Sequence, residues 1–220
     1  MNIYVIGNDH QSEEVKKKIS LKHSIVKIQS VLELVKTKGS IVFDFTLDDN
    51  PENLDMYAGL EDIILFVNST RNSLGEMAYF SEGSLPQLFG FAGDPTFLER
   101  PILEVSVYTH NTIDHTSLFK KMGLHAAVVQ DRLGFVTPRI ISMIINEAFF
   151  TVQENTATRE DIDTGMKLGT NYPMGPFEWS NKWGLDKIYE LLDALYLDTR
   201  EERYKICPLL KREYLALASY

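Results

Sequence analysis

The most constraining feature of the sequence is a change of hydrophobic pattern near residue 130. Up to that point, short apolar runs rich in valine, isoleucine and phenylalanine alternate with polar, helix-compatible stretches. The runs are Ile3–Ile6, Ile25–Ile28, Ile41–Phe45, Ile63–Val67, Gln87–Phe91, Ile102–Val107 and Ala126–Val129. Runs that are short and apolar throughout are typical of strands buried on both faces of a parallel sheet. We therefore predict a mostly parallel sheet with short helices on both faces.

From Asp131 onward the strand signals stop and long helical patterns begin. The segment RIISMIINEAFFTVQE is apolar almost all round, as expected for a helix buried on several sides. Thr137 is expected to cap this helix, with Pro138 as its first residue, and Thr158 followed by Asp161 is expected to cap the next one. The sequence predicts an α/β domain over residues 1–130 and an all-helical domain over residues 131–220.

Composition excludes several classes of function. The net charge of −9 argues against general binding to nucleic acid or to anionic membranes. The only cysteine, Cys207, cannot form an internal disulfide and fits a reducing compartment. The chain begins with a strand pattern, and no apolar run approaches the length of a membrane span. We expect a cytoplasmic protein that binds neither nucleic acid nor membrane.

The C-terminal part carries the most specific motifs in the chain. The stretch EDIDTGMKLGTNYPMGPFE runs from Glu160 to Glu178, GLD follows at Gly184–Asp186, and NEA lies upstream at Asn146–Ala148. Together these motifs resemble the C-terminal domain of the 3-hydroxyacyl-CoA dehydrogenase family, an oxidoreductase family of fatty-acid metabolism. The strand order of the first part also follows that family's N-terminal domain. The resemblance implies a Rossmann-like NAD-binding domain over residues 1–130 and an all-helical C-terminal domain over residues 131–220.

The same resemblance implies assembly as a homodimer, because the C-terminal domain builds the dimer interface in the family. The residues point the same way, since the apolar residues of the C-terminal helices exceed what one face of each helix could bury within the domain. The YPMGP motif, Tyr172 to Pro176, is interpreted as an architectural corner in which Met174 and Phe177 fill the core.

The loop after the first strand departs from the family's cofactor motif, G-x-G-x-x-G. Gly7 keeps the first glycine, but Asp9 replaces the second and Ser12 the third. An aspartate at the second position brings bulk and negative charge to the place where the pyrophosphate approaches the backbone. Ser12 is expected to cap the following helix, with Glu13 and Glu14 in its first turn, so that the helix dipole is satisfied internally.

NAD is the cofactor implied by the resemblance, and the loop predicts that it binds poorly. The acidic residue that holds the ribose is expected about twenty residues after the glycine loop. That position falls near Gln29, whose amide can still donate to or accept from a hydroxyl. Gly7 and Gln29 are therefore interpreted as vestiges of a cofactor site.

The resemblance also places the catalytic residues, and the general base is missing. In the family a histidine begins an H-F-F-N-P turn and is held by a glutamate on the next strand. The corresponding turn here is Phe91–Pro95, so Phe91 occupies the histidine position. The glutamate corresponds to Glu104, one residue later than expected. Phenylalanine cannot take the proton that hydride transfer from a 3-hydroxyl releases.

Two further catalytic positions are altered. A serine that follows the fourth strand in the family aligns with either Asn72 or Ser73, and an asparagine at the start of the first C-terminal helix is replaced by Pro138. Glu104 and Ser73 are the residual catalytic candidates. His10, His110, His115 and His125 offer no convincing replacement for the base, because none is expected near Glu104.

Three hypotheses follow from these observations. The first is a 3-hydroxyacyl-CoA dehydrogenase-like dimer with impaired or lost NAD-dependent oxidation, which binds an acyl-CoA-like ligand or a partner protein. The second is a divergent, active oxidoreductase on a related hydroxyacyl substrate. The third is a dimeric interaction module without a small-molecule ligand. Cofactor binding separates the second hypothesis from the others, and acyl-CoA binding separates the first from the third.

Overall fold

The computed structural model describes residues 2–19, 23–34, 39–60 and 62–217. The chain divides into two compact units, Met1–Phe135 and Val136–Tyr220, so the division falls a few residues beyond the boundary expected at 130. Among the described residues, no helix is both long enough and apolar enough to cross a membrane.

The first unit is built on a seven-stranded sheet with the strand order β2-β1-β3-β4-β5-β6-β7. Every neighbouring pair is parallel except β5 and β6, which are antiparallel. The strands are β1 (Asn2–Ile6), β2 (Ser24–Ile28), β3 (Ser40–Asp44), β4 (Ile63–Asn68), β5 (Gln87–Phe91), β6 (Leu103–Val107) and β7 (Ala126–Val129). Each corresponds to one of the apolar runs, and the predicted mostly parallel sheet is confirmed.

Each face of this sheet has its own hydrophobic core. Successive side chains of a strand point to opposite faces, so Ile3 joins one core and Tyr4 the other. The first core is covered by α1 (Asp9–Lys18) and α3 (His115–Met122), and the second by α2 (Leu74–Tyr79) and the 3-10 helix Pro51–Tyr57. A further 3-10 helix spans Val31–Glu33.

The helix α1 begins earlier than its sequence suggests. Asn8, not Ser12, is the N-cap residue, and its side chain accepts a hydrogen bond from the N–H of Gln11. Ser12 lies buried within the helix, so the expectation that it caps the helix was wrong. The cap forms at Asn8 because Gln11 stands three residues later and bonds back to the Asn8 N–H, which completes a capping box.

Helices are the only regular secondary structure among the described residues of the second unit, 136–217, as predicted. The helices are α4 (Thr137–Gln153), α5 (Arg159–Thr170), α6 (Pro176–Trp183), α7 (Leu185–Thr199) and α8 (Pro208–Leu217), with a 3-10 helix at Glu202–Tyr204. Thr158 caps α5 by accepting from the N–H of Asp161, which confirms that prediction. Thr137 does not cap α4, because it is itself the first helical residue and Pro138 is the second.

Candidate functional site

The candidate site of the first unit is the edge at which the parallel strands β1, β3, β4 and β5 end. In open α/β sheets, ligands bind outside the carboxyl ends of the strands, near the point where the strand order reverses. Here the order reverses between β1 and β3. The loops that follow these four strands carry most of the residues singled out from the sequence.

The glycine turn after β1 is closed by side chains of the chain itself. A Cβ atom at Gly7 would lie 2.5 Å from Gln11 Oε1 and 3.1 Å from the ring of Phe45, so little free space remains beside this backbone. Asn8 Oδ1 accepts from the Gln11 N–H at 2.9 Å, and Gln11 Oε1 accepts from the Asn8 N–H at 2.8 Å. Two of the donors at the start of α1 are therefore already bonded.

The charge at Asp9 is paired with a lysine. Lys27 Nζ on β2 lies 2.5 Å from Asp9 Oδ1, and this hydrogen bond lowers the pKa of the exposed Asp9 carboxyl. Gln29 is exposed just after β2, and its backbone N–H donates to Glu33 Oε1 at 3.0 Å.

Phe91 belongs to the hydrophobic core. Its exposed fraction is 0%. Its ring meets Phe43 and Phe45 edge-on, with ring centroids 5.6 Å and 5.0 Å apart. This aromatic cluster extends through Phe43, which stacks on Phe66 at 4.7 Å. No proton acceptor is available on the Phe91 side chain.

Glu104 lies on the opposite face of the sheet from Phe91. In the antiparallel pair of β5 and β6, Phe91 faces Val105, while the Ala92 N–H donates to the Glu104 carbonyl oxygen at 3.2 Å. Directly opposed residues share a face and adjacent residues alternate, so Glu104 shares its face with Ala92. The glutamate could not orient a base at position 91, because the sheet lies between them.

Two residues align with the family's serine, Ser73 and Asn72, and both serve local structure. Ser73 is the N-cap of α2, and its Oγ accepts from the Glu76 N–H at 3.1 Å. Asn72 Nδ2 donates to the carbonyl oxygen and to Oδ1 of Asp48, at 2.9 Å and 3.2 Å. The Asp131 carboxylate accepts from the first two N–H groups of α2, each at 2.9 Å. Sequence reasoning did not anticipate this role for Asp131.

The polar network that the sequence did not reveal lies in the loops after β3, β4 and β5. The buried Asp48 carboxylate accepts from Arg71 twice, from its backbone N–H at 2.9 Å and from Nε at 3.1 Å. Arg71 also pairs with Asp49. Asn68 Nδ2 donates to Asp94 Oδ1 at 2.9 Å, and Asp94 is buried as well. These loops are thus joined by side-chain hydrogen bonds.

The titration of Asp48 reflects this environment. Burial raises the pKa of the Asp48 carboxyl to about 6, the nearby Asp94 charge adds to the rise, and the Arg71 guanidinium opposes it. A buried carboxyl group with a raised pKa, such as this one in the loop after β3, can hold a proton near neutral pH. The described residues contain no cluster of three or more His, Cys, Asp or Glu side chains that could hold a metal ion.

The family-like motif of the second unit forms a packed corner between α5 and α6. The Asp163 carboxylate of α5 accepts from the N–H groups of Phe177 and Glu178 at 2.8 Å and 3.2 Å. A Cβ atom at Gly175 would lie 2.3 Å from that carboxylate, so only glycine fits there. Phe177 is buried and Met174 half-buried. The motif therefore positions α6, in line with its interpretation as an architectural corner.

Asn146, in the NEA motif, has a similar structural role. Its Nδ2 donates to the Lys205 carbonyl oxygen and its Oδ1 accepts from the Cys207 N–H, each at 2.9 Å. The side chain thereby fixes the segment that precedes α8.

Comparison with known proteins agrees with this architecture. Residues 134–217 match the model of the 3-hydroxyacyl-CoA dehydrogenase C-terminal domain. A probable 3-hydroxybutyryl-CoA dehydrogenase of Bacillus subtilis (strain 168) is 40% identical over 100 residues, which are 46% of this chain and 35% of that protein. The 3-hydroxyadipyl-CoA dehydrogenase of Escherichia coli (strain K12) is 39% identical over 101 residues, 46% of this chain and 21% of that protein. The chain thus spans about a third or less of these curated relatives.

The fold extends the likeness to the first unit. The crystal structure of FadB2 from M. tuberculosis superposes with a TM-score of 0.76 at 18% identity, covering 97% of this chain and 93% of that one. The chain therefore shares the fold of that structure, a Rossmann-type sheet followed by a helical unit. At the sequence level, residues 134–217 are thus a domain of the type found at the C-terminus of the 3-hydroxyacyl-CoA dehydrogenase family.

Proposed function

We propose that this protein is a 3-hydroxyacyl-CoA dehydrogenase-like protein that has lost NAD-dependent oxidation of 3-hydroxyacyl-CoA. The observation that carries the proposal is the burial of Phe91 among Phe43 and Phe45 at the position of the family's base. General-base catalysis commonly contributes about 10²- to 10⁴-fold to a rate. A fully buried phenylalanine contributes none of it.

The geometry of the glycine turn supports weak cofactor binding. NAD, implied by the resemblance alone, would need its pyrophosphate beside Gly7 and the start of α1. Gln11 and Phe45 lie close to that backbone and leave little room for a phosphate beside Gly7. These residues do not fit the group, so no catalytic step is assigned to it.

The test uses the full chain, assayed with 3-hydroxybutyryl-CoA and NAD and titrated with each separately by calorimetry. We expect no turnover approaching about 1 s⁻¹, an ordinary enzymatic rate. A variant that combines Asp9→Gly, Ser12→Gly and Phe91→His should also stay inactive, because Glu104 lies on the opposite face of the sheet from position 91. Its fold is checked by circular dichroism. Turnover by the unmodified protein at an ordinary rate would overturn the proposal and favour a divergent, active oxidoreductase.

We further propose that the protein is a homodimer formed through the C-terminal helices and that it retains an acyl-CoA-like ligand. The helix α5 contains no fully buried residue, and the exposed fraction of its Leu168 is 83%. An exposed apolar side chain on such a helix is expected to lie against a second copy of the chain.

Titration of the protein with acetoacetyl-CoA tests the proposed ligand. Failure to bind would favour the dimeric interaction module without a small-molecule ligand. The single cysteine, Cys207, is a free thiol, as expected for the cytoplasmic location proposed here.

A further inference from the structure

The first unit contains a pocket beside the candidate site, lined by Asn72 and by five residues that belong to none of the family motifs. It has a volume of 170 Å³ and lies between the 3-10 helix Pro51–Tyr57 and α2. Its lining residues are Pro51, Glu52, Asn72, Glu76, Met77 and Phe80. We propose that this pocket, called here the α2 pocket, binds the lysine or arginine side chain of a partner polypeptide.

The size of the α2 pocket indicates a single side chain. Sites for small molecules and cofactors usually measure about 300–1,000 Å³. At 170 Å³, the α2 pocket is too small for such a ligand but matches one long side chain. Met77 and Phe80 provide apolar surface for an aliphatic stem, as buried stems of lysine and arginine require.

The charge of the lining selects a cation. Two of the six lining residues are glutamates and none is a lysine or arginine. Glu76 Oε2 already accepts from the Ser73 hydroxyl at 2.8 Å. The Glu52 carboxylate has no hydrogen bond or ion pair to any residue that the structure describes. A cationic group in the α2 pocket would give it one.

Asn72 adds an oriented acceptor. Its amide nitrogen donates to Asp48, which fixes the orientation of the amide group. The amide oxygen is left as the polar atom of Asn72 without a partner among the described residues. Carboxylate and amide oxygens together suit an ammonium or guanidinium group, which carries only donors.

Exposed aromatic rings beside the α2 pocket indicate that the cation belongs to a polypeptide. The exposed fractions of Tyr79 and Phe80 are 81% and 75%, and the two rings meet edge-on at 5.2 Å. Phe80 lines the pocket, where its ring face would attract a cation, whereas Tyr79 lies outside the lining. A contiguous exposed aromatic surface marks an interaction site, and residues flanking the bound side chain would cover Tyr79.

The test titrates the full chain, labelled with ¹⁵N, with capped tripeptides in which leucines flank lysine, arginine or norleucine. Butylammonium serves as a free amine. The readouts are the side-chain amide signal of Asn72 and the backbone amide signals of Met77 and Phe80. We expect the lysine and arginine peptides to shift these NMR signals in a saturable way. The affinities for the norleucine peptide and for butylammonium should be at least about five-fold lower.

The variants separate the pocket from the general charge of the protein. Glu52→Gln should lower the affinity for the lysine peptide about three-fold, because an exposed ion pair contributes little more binding energy than that. Glu82→Gln is the matched control: it removes an exposed carboxylate that does not line the α2 pocket and should leave the affinity unchanged. Equal binding of the norleucine peptide, equal binding of butylammonium, equal effects of the two variants, or no saturable shift would each overturn the proposal. This outcome is independent of NAD-dependent activity.

Discussion

Replacing Phe91 with histidine, the residue that the family uses as its base, should destabilise this protein and leave it inactive. Phe91 is completely buried and makes edge-on contacts with Phe43 and Phe45. Its neighbour on β6, Val105, and the aromatic cluster around it are apolar. Its neighbour on β4 is Asn68, whose side-chain amide is already bonded to Asp94 and to the Gly93 N–H. An imidazole placed there could not pair with Glu104, because Glu104 lies on the other face of the sheet.

The expected cost can be built up from these contacts. Losing a fully buried phenylalanine side chain forfeits about 1.5–3 kcal/mol of hydrophobic transfer energy, of which a buried imidazole ring recovers only part. The two edge-on aromatic pairs contribute about 0.5–1.5 kcal/mol each. Leaving the ring nitrogens without partners costs about 1–3 kcal/mol. Even after the part recovered by the imidazole, Phe91→His should therefore lower the free energy of unfolding by about 3 kcal/mol or more, a large fraction of the stability of a typical domain.

The assay is urea denaturation of the Phe91→His variant at pH 8 and pH 6. A histidine buried without partners has a lowered pKa, so the unfolded state takes up its proton first and the loss should grow as the pH falls through about 6.5. The control is Phe80→His, at an exposed ring, which should change the free energy of unfolding by about 0.5 kcal/mol or less. If Phe91→His proves as stable as the unmodified protein, a polar partner for position 91 exists and the assignment of Phe91 to the core is wrong.

Three further outcomes are expected. Because the folded pKa of Asp48 is raised to about 6, the folded state takes up a proton before the unfolded state does. The contribution of Asp48 to stability is therefore present below about pH 4 and is lost as the pH rises to 6. Over that range the free energy of unfolding should fall by up to about 1.4 kcal/mol per pH unit. In urea titrations, Asp48→Asn should remove this pH dependence, whereas Glu82→Gln should keep it. Thr158→Ala should cost about 1 kcal/mol in thermal unfolding by removing the cap of α5, whereas Thr156→Ala, at an exposed position, should change little. Light scattering should find a dimer at micromolar concentration and a shift to monomer on Leu168→Glu; a monomeric unmodified protein would contradict the proposed assembly.

The local pattern of the sequence was enough to predict the architecture. Every apolar run became a strand, since a run such as Ile63–Val67 is apolar throughout and must be buried on both faces. The change at Asp131 predicted the helical unit because helical periodicity is also readable within one segment. The motif that ends at Glu178 was specific enough to indicate the family, although its side chains serve packing.

The N-cap residue of α1 could not be predicted from the local sequence alone. Asn8 and Ser12 are both good N-cap residues by type, and the acidic pair after Ser12 made it the stronger candidate from sequence. The structure selects Asn8 because Gln11 completes the capping box there. The choice between two chemically suitable caps was made by the position at which the chain leaves β1.

The sequence by itself determined which segments are strands and helices, and that position 91 carries no base. Only the tertiary structure decided the positions of the polar groups. A shift of one residue moves a side chain to the other face of a sheet, so the face of Glu104 depended on the register of β5 and β6. The partnership of Asp48 with Arg71 joins loops that follow different strands, and neither residue type predicts burial by itself. Hydrophobic periodicity is a property of one segment, whereas the pairing of buried charges is a property of segments brought together by the fold.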